Sequence, residues 1–98
     1  MKTKLDEARE IINEVDNEMI KLFIKRMAAV SMVAEYKIEN DIPVLDSIRE
    51  DEIKERNLET LSNKVLEKYY LTFFEGVLKS SKDYQKYLLE KFEKENKK

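Results

Sequence analysis

Two cationic side chains share one face of the long helical segment that the N-terminal part of the chain predicts. Arg26 occupies a position in a row of apolar residues at seven-residue spacing, formed by Leu5, Ile12, Met19 and Val33. Lys37 follows 11 residues later, which is three helical turns and about 20° of rotation, or about 16 Å along the axis. Two long cationic side chains on one face can bind one small anion between them. The alternative is that Arg26 pairs with a buried glutamate or extends into solvent.

Two polar residues interrupt the apolar stripe of the C-terminal segment. Ser81 and Gln85 are four residues apart, on the face that carries Phe74, Leu78 and their apolar neighbours. A buried hydroxyl or amide needs a hydrogen-bonding partner. These two side chains therefore either bond to a neighbouring helix or line a pocket.

Charged residues also gather at the predicted start of the middle helix. Asp46 and Glu50 lie four residues apart with Arg49 between them, which suits an N-cap and a first-turn carboxylate. The run from Glu50 to Glu52 is a weak metal signal, because three consecutive helical side chains point in different directions. We therefore expect no metal ion at this run.

The composition excludes several classes of protein. The 98 residues contain no His and no Cys, so a Ser-His-Asp hydrolase, a thiol nucleophile and a Cys-ligated metal site are ruled out. The net charge of −2 argues against nucleic acid as a partner. With 41% charged residues the chain is too polar to span a membrane. No apolar block follows Met1, so we expect no signal peptide and a cytoplasmic location.

The apolar periodicity predicts an all-α protein forming a single domain over residues 1–98. One Gly and one Pro are too few for the turns of a sheet protein. We expect a long helix over about 4–39, a short one over about 46–62 and a third over about 64–92, followed by a frayed, charged tail at 93–98. Asn40 is expected to be a left-handed cap before Pro43. Gly76, inside the third helix, suggests a close contact between helices.

The length of the first helix predicts a dimer. Thirty-six residues span roughly 54 Å, whereas a compact domain of 100 residues has a radius of gyration of only ~13 Å. Such a helix protrudes from a monomer and carries its apolar rows into water. Packing two of these helices along each other in a homodimer removes that exposure.

Taken as a set, the polar residues resemble those of the all-helical (AroQ-type, or type II) chorismate mutases, from about Leu5 to Leu89. The resemblance rests on four elements of the sequence: Ala8-Arg9-Glu10-Ile11-Ile12 followed by Val15-Asp16, Lys25-Arg26-Met27 leading to Lys37, Pro43-Val44-Leu45-Asp46 followed by Arg49-Glu50, and Ser81 with Gln85. It implies three helices per chain, two intertwined chains and the rearrangement of chorismate to prephenate on the route to Phe and Tyr, in a stand-alone enzyme. That reaction uses no nucleophile, metal or cofactor.

The resemblance also implies a role for each residue. Arg26 and Arg9, the latter from the partner chain, would bind the two substrate carboxylates, with a further bond from Ser81. Lys37 and Gln85 would donate to the ether oxygen. Glu50 would accept from the ring hydroxyl, with help from the backbone near Asp46, and the role of Arg49 is left open. The catalytic set is therefore Arg26, Lys37, Glu50 and Gln85.

Two other functions fit the same sequence. An isochorismate-pyruvate lyase resembles these mutases in fold and pocket. A non-catalytic helical dimerisation module would use Arg26 and Lys37 in structural ion pairs instead. The module would tolerate Lys37→Met and would not bind small dicarboxylates.

Overall fold

The computed structural model describes residues 1–96 and consists of three α-helices and one short 3₁₀ turn. Helix α1 spans Lys4–Glu39, α2 spans Ser47–Thr60, the 3₁₀ turn spans Lys64–Leu66 and α3 spans Glu67–Glu95. The described part of the chain contains no strand, so the all-α prediction is confirmed. Among these helices none combines the length and the apolar run needed to cross a bilayer.

Side-chain hydrogen bonds cap the start of α1, and a residue with left-handed backbone conformation follows its end. Thr3 and Asp6 form a reciprocal capping box, each side chain accepting from the other's backbone N–H at 3.1 Å. At the other end Asn40 has φ of −110°, so its expected left-handed conformation is wrong. Asp41 adopts it instead, with φ of 52°, which an aspartate tolerates better than most residues.

The other helix ends differ from the predicted ones by a few residues. Asp46 caps α2 by accepting from the backbone N–H of Arg49 at 3.0 Å, and α2 ends at Thr60 rather than at 62. The charged tail expected to fray is helical through Glu95, with Asn96 as its cap. Alternating Glu and Lys residues there are compatible with helix, since both have high helix propensity. Residues 97 and 98 of the predicted tail lie outside the described residues.

The core lies between the C-terminal half of α1 and the middle of α3. Its buried apolar residues are Val30 and Ala34 from α1 and Phe74 and Leu78 from α3. Helix α2 also packs on α3, where the Asn57 side-chain amide donates to the Tyr70 hydroxyl at 2.9 Å. This arrangement leaves a cleft between the three helices.

The N-terminal half of α1 extends away from this core. Its apolar side chains are exposed, among them Leu5, Ile12, Val15 and Leu22. The chain is 64 Å long and has a radius of gyration of 17.7 Å, well above the ~13 Å of a compact domain of this length. Within residues 1–96 no atom of another helix lies within 4 Å of a Cβ placed on Gly76, so the expected close helix contact at Gly76 is wrong for the single chain.

The tight α1–α3 contact predicts a cost for enlarging Ala34, which is only 2% exposed. Ala34→Leu is expected to lower the free energy of unfolding by about 1–3 kcal/mol, because the added carbons must displace α3. Urea unfolding at fixed protein concentration measures this. Ala28→Leu is the control, since Ala28 lies on the same helix but is exposed. Equal stability of the two variants would contradict the described packing.

Candidate active site

The cleft between the three helices contains a cavity of about 490 Å³ that gathers most of the polar residues singled out from the sequence. Its walls come from the second half of α1, the start of α2 and the second half of α3. The charged and polar lining residues are Arg26, Lys37, Asp46, Arg49, Glu50, Ser81, Lys82 and Gln85. Apolar side chains, including Val30, Val33 and Leu78, complete the walls. The size and the mixed lining suit a small polar ligand.

Arg26 is held in place by α3. Its guanidinium donates to the Ser81 hydroxyl, and its guanidinium carbon lies 5.9 Å from the centre of the Phe74 ring. The Ser81 hydroxyl in turn donates to the Val77 carbonyl at 2.9 Å. Arg26 therefore pairs with a hydroxyl rather than with a buried glutamate, which leaves its other N–H groups available to a ligand.

Lys37 connects the end of α1 to the loop before α2. Its ammonium group donates to the Val44 carbonyl at 2.9 Å. An ammonium group has three donors, so two remain after this bond. The contact holds a cation at the wall of the cavity because both Lys37 and Val44 line it.

Gln85 presents a buried amide to the cavity. The residue is 8% exposed, and its Oε1 atom has no hydrogen-bonding partner within residues 1–96. Leaving a buried polar atom unpaired costs about 1–3 kcal/mol. Turning the amide by 180° exchanges its carbonyl oxygen for its NH₂ group, so this position can serve a ligand as acceptor or donor.

An ion pair crosses the cavity from α2 to α3. The Lys82 ammonium nitrogen lies 3.2 Å from Oε1 of Glu50. Lys82 is not among the site residues predicted from the sequence. Its position between Ser81 and Gln85 on the same helix could have indicated that it lies near the cavity. Arg49 lies farther out, with its Nη1 4.0 Å from Oε2 of Glu52.

The charges of the cavity favour an anion. Four cationic side chains and two carboxylates line it, a net charge of +2 in a chain whose overall charge is −2. A cavity of this sign attracts dianions. In the described part of the chain no three potential metal ligands come close enough to hold a metal ion.

Arg9 is the one candidate residue that the chain does not bring to this cavity. It lies on the exposed N-terminal part of α1, 17 residues before Arg26, which corresponds to ~26 Å along the helix. The two guanidinium groups of one chain are thus too far apart to contact one small molecule.

Comparison with known proteins identifies sequences that this chain resembles. The family model described as chorismate mutase type II matches residues 8–86, a range that includes every candidate residue. A curated relative, the chorismate mutase of Methanocaldococcus jannaschii, is 34% identical over 96 residues, which cover 97% of each chain. No solved structure gives a significant match. The chain belongs to the type II chorismate mutase family.

Proposed function

We propose that the cavity between the three helices is the site in which this chain converts chorismate to prephenate. The observation that carries the proposal is the clustering of Arg26, Lys37, Ser81 and Gln85 in one positively charged cavity. Chorismate carries two carboxylates, and its rearrangement breaks a C–O bond and forms a C–C bond within one molecule. Binding, orientation and charge stabilisation are therefore the contributions required of the protein.

The Lys37 ammonium and the Gln85 amide are the proposed donors to the ether oxygen. Negative charge grows on this oxygen as the C–O bond breaks, so both donors bind the transition state more tightly than the substrate. Lys37 has two N–H groups beyond its bond to Val44. The Oε1 atom of Gln85 has no partner within residues 1–96, and turning the amide by 180° puts its NH₂ group in that position as a donor. The Lys37 ammonium is held by the Val44 carbonyl before the reaction starts, and Gln85 is restricted by its burial, which limits reorganisation.

Arg26 is the proposed anchor for one carboxylate, through charge-assisted and bidentate hydrogen bonds. Ser81 supports this anchor, since its oxygen accepts from Arg26 while its proton is donated to Val77. A direct bond from Ser81 to the substrate requires its proton to leave Val77. Support of Arg26 is therefore the task that the structure favours for Ser81.

Glu50 is the proposed acceptor for the ring hydroxyl. It lies on the first turn of α2, which the side chain of Asp46 caps. The capping bond fixes this turn of backbone and thereby fixes the direction from which Glu50 enters the cavity.

The second carboxylate is assigned to Arg9 of a second copy of the chain, in a homodimer joined along α1. The exposed apolar rows of α1 supply the surface for this contact, since Leu5, Ile12 and Val15 face solvent in the single chain. The ~26 Å between Arg9 and Arg26 requires two chains if both arginines bind one substrate. A two-fold axis then creates two identical composite sites per dimer.

The reaction itself is tested by adding purified protein to chorismate and following the loss of its ultraviolet absorbance. The expected result is catalytic turnover to prephenate, identified by acid conversion to phenylpyruvate. Isochorismate is offered in a parallel sample. Release of pyruvate from isochorismate with chorismate untouched would contradict the proposal and favour the lyase, and inactivity on both would favour a dimerisation module.

Arg26→Ala is expected to lower kcat/KM at least ~100-fold, because it removes the anchor of one carboxylate and leaves Ser81 without its donor. Steady-state kinetics measure the loss, and circular dichroism checks that the helices remain. Arg56→Ala is the matched control, since Arg56 is exposed and lies outside the cavity lining. Turnover by Arg26→Ala within a few-fold of the control would refute the assignment.

Mixed dimers test the assignment of Arg9 to the other chain. Arg9→Ala and Arg26→Ala, each inactive alone, are unfolded together and refolded as a mixture. Random pairing makes half of the dimers mixed, each with one intact site, so about a quarter of the wild-type activity should return. Each variant refolded by itself is the control. A mixture as inactive as its components would count against a site shared between chains.

A further inference from the structure

Lys82 is a charged residue of the cavity to which the proposed mechanism assigns no task. It lies on α3 and reaches across the cleft to Glu50 on α2, with 3.2 Å between its ammonium nitrogen and Oε1 of Glu50. The two side chains are 33% and 20% exposed, respectively. Such a pair is shielded from solvent better than the other ion pairs of the described residues, whose side chains are all more than half exposed.

The carboxylate next to Lys82 in sequence makes its ion pair with a different lysine. Asp83, next in sequence, is bound by Lys79 at 2.7 Å. This hydrogen bond is the main reason why the pKa of Asp83 is lowered, with smaller contributions from the charges of Lys79, Lys86 and Lys82. The Asp83 carboxylate is therefore satisfied within its own helix, and Lys82 is paired with the cavity carboxylate.

A carboxylate in a site for a dianion creates an electrostatic conflict. Glu50 can accept a hydrogen bond from a substrate hydroxyl, but its negative charge repels the two substrate carboxylates. A cation bound to one carboxylate oxygen offsets this repulsion and also restricts the rotation of the side chain. Lys82 binds Oε1, which leaves Oε2 to accept from the substrate.

We propose that Lys82 is a positioning residue that acts through Glu50: it orients the carboxylate toward the substrate hydroxyl and offsets its charge. This inference rests on the proposed function, because it takes the ligand to be a dicarboxylate with a ring hydroxyl. Lys82 would thus be a fourth cation of the site, besides Arg26, Lys37 and Arg9 of the second chain. Its effect is on binding in both ground and transition state, so it should appear mainly in KM.

The test is a double-mutant cycle on Lys82→Met and Glu50→Gln. Lys82→Met is expected to raise KM ~10-fold with kcat changed less than ~3-fold, and to weaken binding of a stable bicyclic dicarboxylate analogue of the transition state by a similar factor. In the Glu50→Gln background the same change should cost less than ~2-fold. Lys82→Arg, which keeps the charge, should restore most of the loss.

Lys79→Met is the matched control. It removes a lysine of the same helix that is also paired, but its side chain is 74% exposed and lies outside the cavity lining. It should leave KM and analogue binding unchanged. Circular dichroism on all variants separates loss of fold from loss of positioning.

Calorimetric binding of the analogue separates the two proposals. If the wild-type protein binds the analogue but does not convert chorismate, the proposed function is refuted. The coupling between Lys82 and Glu50 can still be measured in that case, from analogue binding by the variants. Equal losses from Lys82→Met with and without Glu50 would overturn the inference, because Lys82 would then act on the ligand directly. Failure of the wild type to bind the analogue would overturn both.

Discussion

The length of helix α1 sets the distance between Arg9 and Arg26, and the proposed site, which uses both arginines, depends on that distance. Helix α1 runs unbroken from Lys4 to Glu39, so its two arginines remain ~26 Å apart. No bending within a folded helix brings both to one small substrate. The same length carries apolar residues such as Leu5 and Ile12 away from the core and into solvent. The proposed contact between two chains meets both requirements, because it would cover the apolar rows and bring Arg9 of one chain to the cavity of the other.

One stripe of α3 builds both the core and the cavity. Phe74 and Leu78 pack against α1, and Ser81 and Gln85 continue the same stripe as buried polar residues. The stripe changes from apolar to polar where the cleft opens, so the packing that stabilises the fold also orients the donors. Arg26 links the two parts, since it contacts the Phe74 ring and donates to Ser81. Such preorganised cations and donors stabilise developing charge without a covalent intermediate.

Helical periodicity explains which parts could be predicted from sequence. Arg26, Ser81 and Gln85 interrupt apolar rows, and an interrupted row identifies a polar residue on a buried face. The ion pair from Lys82 to Glu50 could not be predicted, because it depends on how α2 docks on α3. The residue with left-handed backbone conformation after α1 is Asp41 and not the expected Asn40. Sequence does not separate the two positions, because Asn and Asp both tolerate that conformation. The proposed second chain, which would bury the exposed rows of α1, is likewise suggested by the periodicity but not positioned by it.

The most direct test is a crystal structure of the protein with the bicyclic dicarboxylate analogue bound. The account predicts two analogue molecules per dimer, each with one carboxylate within about 3 Å of Arg26 from one chain and the other within about 3 Å of Arg9 from the second chain. Lys37 and Gln85 should contact the ether oxygen between them. An analogue bound only by residues of one chain, with Arg9 in solvent, would contradict the shared site.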